Sequence, residues 1–186
     1  MKMSSKINII AEIGWNHMGN MTLAEKMIKA AAESGADYCK FQTWSVKSLK
    51  KGPWDDDGRR EIYEKAQLSI SDHILLKKIC AKYKVGFFTS LFNIKDVPML
   101  KKINKKIIKI PSHEIHNKTL IQKCLNTFDK VLVSTGAAKW REIKDLLKLK
   151  NYKKKAILMH CVSSYPCDIK NINFPRLDVL KKISKQ

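Results

Sequence analysis

The sequence predicts an α/β fold of the (β/α) TIM-barrel type, with parallel strands and about six of the eight βα units of a complete barrel. Strand-like and helix-like patterns alternate along its 186 residues, and most strand-like runs are almost continuously apolar, as in a parallel sheet that is covered on both faces. Polar groups that can bind an anion or move a proton follow nearly every strand. A doubly wound sheet is the competing fold, but the first strand lacks the glycine-rich turn typical of it.

The predicted elements follow from apolar periodicity and from helix-capping residues. We predict strands at 6–12, 37–42, 85–90, 107–111, 130–134 and 156–161. We predict helices near 22–34, 72–83, 94–103, 117–126, 139–149 and 175–184. Thr22 to Glu25 has the pattern of a capping box, and Ser71 and Asn117 are candidate N-caps. We treat residues 1–186 as a single partial barrel domain.

One long irregular stretch, residues 43–71, interrupts the alternation and contains a short helix-like piece near 59–67. A connection of this length in a compact domain is usually functional or mobile. Three consecutive aspartates, Asp55 to Asp57, could suggest a metal site. We favour an exposed acidic turn, because the spacing of a calcium-binding loop is absent and no second acidic cluster exists.

Composition limits the possible classes of protein. The net charge is +20, but the lysines are spread over almost every predicted helix and do not form a stripe interleaved with aromatics. We therefore read them as solvated helix faces and do not expect nucleic-acid binding, although the charge can attract an anionic substrate. No apolar run is long enough to cross a membrane and the N-terminus lacks a signal-peptide pattern, so we expect no membrane association and a cytoplasmic location. Five cysteines without a CxxC pair indicate free thiols.

The strand ends carry the candidate chemistry. Lys40 and Lys109 lie inside apolar runs, where a charged side chain needs a partner or a solvated pocket. Serine hydroxyls and a glycine turn whose N–H groups could face a phosphate follow other strands, at Ser90, Ser112, Ser134 and Gly136. Glu12 and Glu114 could serve as acid/base groups or bind hydroxyls. His160 fits either a buried structural histidine or a site residue.

Several segments together resemble the sialic acid synthase family, which comprises N-acetylneuraminate synthase and its legionaminic and pseudaminic acid relatives. Ala11 to Gly19 (AEIGWNHMG) resembles the AEIGxNHxG opening of that family. Five further segments are similar to its motifs: Lys40–Thr43 to KFQ, Phe88–Phe92 to F-[IL]-S-T-P-F, Lys109–Glu114 to KIxSxE, Val133–Gly136 to STG, and Leu158–Pro166 to LLHCxxxYP. Leu91 replaces the proline of the motif in the segment Phe88–Phe92. The resemblance covers essentially the whole chain.

The resemblance implies a condensation of phosphoenolpyruvate with an N-acetylated mannose-type sugar, which gives a nine-carbon 2-keto sugar acid and phosphate. It implies candidate catalytic residues at Glu12, Lys40, Lys109 and Glu114. The implied substrate-binding residues are Gln42, Ser90, Ser112, Ser134, Gly136, Ser163 and Tyr165, and supporting roles fall to Asn16, His17 and His160. The family often has asparagine at the position of Ser163.

The resemblance also implies a divalent metal, Mn²⁺ or Mg²⁺, whose histidine ligands we expect beyond residue 186. By this resemblance, residues 1–186 lack the C-terminal barrel units and the family's C-terminal antifreeze-like domain, which completes the partner subunit's site in a dimer. We therefore expect a truncated synthase that is not self-sufficient and that needs a complementary C-terminal polypeptide or a homodimer. The alternatives are a non-catalytic remnant or half of a split enzyme, acting as a ligand- or partner-binding module.

Overall fold

A computed structural model describes residues 7–49 and 51–184, without the side chain of residue 54. The first residue of the predicted first strand, the N-terminal segment 1–6 and the last two residues lie outside the described part. The strands are β1 (Ile10–Gly14), β2 (Tyr38–Thr43), β3 (Gly86–Leu91), β4 (Ile107–Ile110), β5 (Lys130–Ser134) and β6 (Ala156–Met159). The helices are α1 (Met21–Glu33), α2 (Arg59–Ala66), α3 (Ile70–Lys82), α4 (Val97–Ile103), α5 (Lys118–Thr127), α6 (Trp140–Leu146), α7 (Tyr152–Lys155) and α8 (Pro175–Ser184).

The strands form one six-stranded sheet in the order β1-β2-β3-β4-β5-β6, and their pairings are parallel. Helices separate consecutive strands, so each neighbour in the sheet is reached by a strand–helix–strand crossover. This confirms the predicted fold class, a (β/α) barrel with six of the eight units. The chain divides into two compact units, Met1–Thr89 and Ser90–Gln186.

In the first unit, α1 packs against both α3 and β1, and the buried residues of these helices include Ala24, Ile28 and Leu76. The predicted capping box at Thr22 is wrong, because the helix begins one residue earlier and the side chain of Asn20 accepts a hydrogen bond from the backbone N–H of Leu23. The predicted cap at Ser71 is also wrong. Ser69 caps α3, in a capping box with Asp72.

The irregular stretch of the first unit contains two 3₁₀ turns, Val46–Ser48 and Pro53–Asp55, followed by α2. Its acidic turn is compensated by the arginines that follow it. Asp57 pairs with Arg59 at 2.6 Å, and Asp55 pairs with Arg60 and also accepts a hydrogen bond from the backbone N–H of Gly52. These contacts lower the pKa of both carboxyl groups.

In the second unit, β4, β5 and β6 pair in register, from Ile107 opposite Lys130 to Ser134 opposite Met159. Asn117 caps α5 as predicted, and α8 begins at Pro175 and packs on β6. All five cysteines are free thiols. Across the described residues, no helix combines the length and the apolar character that a membrane span requires.

Candidate functional site

The polar residues at the carboxyl ends of the strands form a separate constellation in each unit. In the first unit, Glu12 on β1 lies opposite Lys40 on β2. The Lys40 ammonium contacts both oxygens of the Glu12 carboxylate, at 2.8 Å and 2.6 Å. The lysine side chain is 5% exposed and the glutamate side chain is 53% exposed, so a buried cation is paired with a carboxylate that faces solvent. The pairing satisfies a charge that would otherwise be costly to bury.

Gly14 lies where the side chains of Glu12 and Gln42 converge. Its φ of +60° is in the left-handed region, at an irregularity in the pairing of β1 with β2. A Cβ atom at this position would lie 3.3 Å from Glu12 Oε1 and 3.8 Å from Gln42 Nε2. The conformation and the limited space both favour glycine here. The amide of Gln42 therefore borders the Glu12–Lys40 pair.

The two polar residues that follow Gly14 differ in burial. Asn16 is exposed, whereas His17 is completely buried. The Nδ1 atom of His17 accepts a hydrogen bond from the backbone N–H of Gly19 at 3.0 Å, so its proton is on Nε2, which has no hydrogen-bond partner among the described residues. Burial lowers the pKa of His17, against an opposing effect of Asp72. His17 thus supports the turn as a neutral side chain.

A buried hydrogen-bonded network in the first unit was not predicted from the sequence. His73 Nδ1 lies 2.7 Å from the Ser69 carbonyl oxygen, which can only accept, so Nδ1 carries the proton. His73 Nε2 then accepts from Thr43 Oγ1 at 2.7 Å, and Thr43 Oγ1 accepts from Thr89 Oγ1 at 2.8 Å. Thr43 is the last residue of β2 and Thr89 lies near the carboxyl end of β3, and this position was the signal available in the sequence. These hydrogen bonds fix the side chains of Thr43, His73 and Thr89 near the carboxyl ends of β2 and β3.

In the second unit, the turn after β5 brings together residues from three strand ends. The backbone N–H of Gly136 donates to Ser112 Oγ at 3.2 Å. A Cβ atom on Gly136 would lie 2.7 Å from Ser163 Oγ, 3.0 Å from the Cys161 carbonyl oxygen and 3.0 Å from Ser112 Oγ. Only glycine fits here without displacing a neighbour. The predicted residues Ser112, Gly136 and Ser163 therefore do converge.

The same turn is held by the residues that precede it. Ser134 and Thr135 are completely buried. The Thr135 hydroxyl donates to the carbonyl oxygen of Met159 at 2.9 Å, and the Cys161 thiol lies 3.5 Å from Ser134 Oγ. We refer to Ser112, Ser134, Gly136 and Ser163 as the hydroxyl turn.

Lys109 and Ser90 lie opposite each other on β4 and β3, and Ser90 is buried whereas Lys109 is half-buried. Glu114 follows β4 in a 3₁₀ turn, Ser112–Glu114, with a side chain that is 17% exposed. Its Oε2 accepts a hydrogen bond from Asn117 Nδ2 at 3.0 Å. The N-cap of α5 therefore orients the Glu114 carboxylate.

The two remaining predicted residues of the second unit have different surroundings. His160 is half-buried and its Nε2 donates to the carbonyl oxygen of Ile172 at 2.6 Å, so it ties β6 to the segment before α8. Its Nδ1 is buried and has no hydrogen-bond partner among the described residues. Tyr165 is 95% exposed, so the substrate contact that the resemblance implies for it is not preformed.

Arg176 at the start of α8 also reaches the hydroxyl turn and was not predicted. Its Nη2 donates to the carbonyl oxygens of Thr135 and Ala138, at 3.2 Å each. Its guanidinium lies 4.8 Å from the centroid of the Trp140 ring. Because basic residues are frequent throughout this sequence, nothing in the sequence distinguished Arg176 from the others.

The described residues do not fit a divalent metal by themselves. Residues 7–49 and 51–184 contain no group of three or more histidine, cysteine, aspartate or glutamate side chains placed to hold an ion. Three or more such protein ligands are usual for a catalytic transition metal. We therefore derive no chemical step through a metal bound by this part of the chain.

Residues 27–185 match the model of the NeuB family. The chain belongs to the NeuB family. It is 34% identical to the N,N'-diacetyllegionaminic acid synthase of Campylobacter jejuni, over 97% of this chain and 58% of that protein. It is 32% identical to the pseudaminic acid synthase of Helicobacter pylori, over 89% of this chain and 52% of that protein.

The crystal structure of the N-acetylneuraminic acid synthetase of Leptospira borgpetersenii, in complex with citrate, superposes with a TM-score of 0.85 at 32% identity. The match covers 96% of this chain and 62% of that one. The predicted resemblance to the sialic acid synthase family is thus confirmed, and the named relatives of this NeuB-family chain are synthases. The chain spans about half the length of the curated relatives it matches.

Proposed function

We propose that this chain supplies the phosphoenolpyruvate-binding and amino-sugar-binding residues of a sialic-acid-type synthase. The reaction joins phosphoenolpyruvate to an N-acetylated mannose-type sugar and releases a nine-carbon 2-keto sugar acid and phosphate. The observation that carries the proposal is the hydroxyl turn, in which the Ser112 and Ser163 hydroxyls converge on Gly136 and the Gly136 backbone N–H contacts Ser112 Oγ. Convergent N–H and O–H donors of this kind suit a phosphate or a carboxylate.

The roles that we propose follow the chemistry of each residue. Lys40 and Lys109 supply positive charge for the phosphate and carboxylate of phosphoenolpyruvate. Ser90 and three residues of the hydroxyl turn, Ser112, Ser134 and Gly136, donate hydrogen bonds to the same groups. Gln42, Glu114, Ser163 and Tyr165 contact the sugar, and Asn16, His17 and His160 support the strand ends.

In the proposed reaction, the methylene carbon of phosphoenolpyruvate forms a bond to the aldehyde carbon of the open-chain sugar, and the aldehyde oxygen takes up a proton. Water then adds to the cationic carbon that bears the phosphate and loses a proton. The bond from that carbon to the bridging oxygen then breaks and the remaining hydroxyl proton passes to the departing phosphate, which leaves the keto group and free phosphate. Glu12 is the nearest described carboxylate to Lys40, so we assign it the proton transfers at the reacting centre.

The finer details of the proposal come from the family resemblance. We infer that a divalent metal, Mn²⁺ or Mg²⁺, takes part in the intact enzyme, with ligands outside the described residues. We also infer that turnover needs a complementary polypeptide or a homodimer, and that the reaction takes place in the cytoplasm. We place residues 1–186 in a single partial barrel domain.

Isothermal titration of the chain with phosphoenolpyruvate tests the proposal. We expect saturable binding, and we expect the variant K109M to bind about ten- to a hundredfold more weakly, the range for losing a hydrogen bond to a charged ligand. The control K130M removes the same charge from Lys130, an exposed residue at the amino end of β5 and therefore at the end away from the hydroxyl turn. Equal losses in both variants would indicate only nonspecific attraction to a basic protein.

The alternative reading, a non-catalytic remnant that binds another ligand or a partner, makes the opposite prediction. A wild-type chain that does not bind phosphoenolpyruvate refutes the proposed function and favours this alternative. Phosphate release from phosphoenolpyruvate and N-acetylmannosamine with Mn²⁺ measures turnover separately. Robust turnover by the chain alone would refute the inference that it needs a complementary polypeptide or a dimer.

A further inference from the structure

Arg176 donates hydrogen bonds to the backbone on both sides of Gly136. One nitrogen of its guanidinium, Nη2, donates to the carbonyl oxygens of Thr135 and Ala138 at 3.2 Å each. These two carbonyls bracket Gly136, and a further hydrogen bond from the backbone N–H of Ala138 to the Thr135 carbonyl closes the turn at 3.1 Å. The charged donor of α8 is therefore directed at main-chain oxygens, a stronger contact than a bond between neutral groups.

The Thr135–Gly136 peptide links this contact to the Gly136 N–H in the hydroxyl turn. The Thr135 carbonyl and the Gly136 N–H belong to one planar, trans peptide unit, so they point in opposite directions. Arg176 holds the carbonyl end, while the N–H end is directed at Ser112 Oγ at 3.2 Å. A cation at the carbonyl oxygen also polarises the peptide, which makes its N–H a stronger donor.

The position of the guanidinium is itself fixed by its surroundings. It lies 4.8 Å from the centroid of the Trp140 ring, in a cation–π contact at the first residue of α6. Its Nε is buried and has no hydrogen-bond partner among the described residues. Leaving a buried donor unsatisfied is unfavourable, so contacts to the two carbonyls and the ring must outweigh that cost.

We propose that Arg176 is a positioning residue, which orients and polarises the Gly136 N–H that holds Ser112 Oγ in place for the phosphate or carboxylate of the bound substrate. The proposal rests on the proposed function for the identity of the anion, but the orientation of the amide does not depend on it. Arg176 acts through the Thr135–Gly136 peptide and does not itself touch the substrate.

Two measurements on the chain test this role, with variants R176M and R176K and the matched control R141M. Arg141 is an exposed residue of α6, so its replacement removes the same charge away from the turn. Hydrogen exchange of the Gly136 amide, followed by ¹H–¹⁵N NMR, reports orientation. We expect exchange about tenfold faster in R176M, a smaller increase in R176K, and no change in R141M, as for loss of one net hydrogen bond.

Phosphoenolpyruvate titration reports the consequence for binding, and we expect about tenfold weaker affinity in R176M. Unchanged exchange at Gly136 overturns the proposal whatever happens to binding. Faster exchange with unchanged affinity overturns the anion-orienting role. If the wild-type chain does not bind phosphoenolpyruvate, the proposed function fails, and the exchange measurement still decides whether Arg176 orients the amide. Should R176M fold poorly, R176K and the wild-type chain carry the comparison.

Discussion

Replacing Gly136 with alanine perturbs the hydroxyl turn by one methyl group. The new Cβ atom would lie 2.7 Å from Ser163 Oγ and 3.0 Å from both the Cys161 carbonyl oxygen and Ser112 Oγ. The contact at 2.7 Å forces the Ser163 hydroxyl to move, and the Cys161 backbone carbonyl at 3.0 Å has little freedom to yield. Overpacking of this kind costs about 1–3 kcal/mol, which corresponds to a fall of roughly 2–10 °C in Tm for a chain of this size.

The same methyl group displaces the donors that we propose for the anion. We expect G136A to bind phosphoenolpyruvate about ten- to a hundredfold more weakly in isothermal titration, as for one or two hydrogen bonds to a charged ligand. Gly35 provides the control, because its φ is +84° and no heavy atom lies within 4 Å of the added Cβ. G35A should lose about 1–2 kcal/mol through backbone strain and keep its affinity. Wild-type affinity in G136A would refute the reasoning.

Three further predictions concern the first unit. E12A should lower the free energy of unfolding by about 1–2 kcal/mol in urea titration, which is less than the roughly 3–5 kcal/mol lost when a fully buried pair is broken. The double variant E12A/K40M should recover part of the lost stability, because it also removes the unpaired lysine. An equal loss in E12A and in E12A/K40M would contradict the pairing argument. T43V should cost about 1–3 kcal/mol because it leaves His73 Nε2 without its donor, while T43S should be close to wild type. Burial lowers the pKa of His73, so the unfolded chain takes up a proton more readily. The free energy of unfolding should therefore fall as the pH drops below about 6.5, the pKa of histidine in the unfolded chain. Between pH 8 and pH 5, the Tm of H73N should fall less steeply than the Tm of the wild-type chain.

The fold was predictable because its signals are local. Each strand is a short apolar run, and five of the six observed strands begin within one residue of the predicted position. Local signals were less reliable where two capping patterns compete. Both Ser69 and Ser71 precede the apolar part of α3, but only Ser69 has an aspartate three residues later, and it forms the cap.

The candidate site was predictable as a list of residues and less so as a set of contacts. Strand ends identified Lys40 and Gly136, because chemistry gathers at the carboxyl ends of parallel strands. The pairing of Lys40 with Glu12 depends on strand register across 28 positions, which no local pattern encodes. Arg176 contacts main-chain carbonyls, and recognition of a backbone atom leaves no signal in the sequence of the partner.

The Glu12–Lys40 pair has a consequence for the proposed binding step. A lysine that already has an internal counter-ion does not wait for its ligand as a bare charge, so its ammonium is positioned before substrate arrives. An incoming anion then exchanges with a tethered carboxylate, or shares the cation with it, and only the difference between the two interactions adds to affinity. Such exchange disfavours weakly coordinating monovalent ions such as chloride and favours ligands with several negatively charged oxygens. In the proposed binding step, the Glu12–Lys40 pair therefore determines which anions can compete for the Lys40 ammonium.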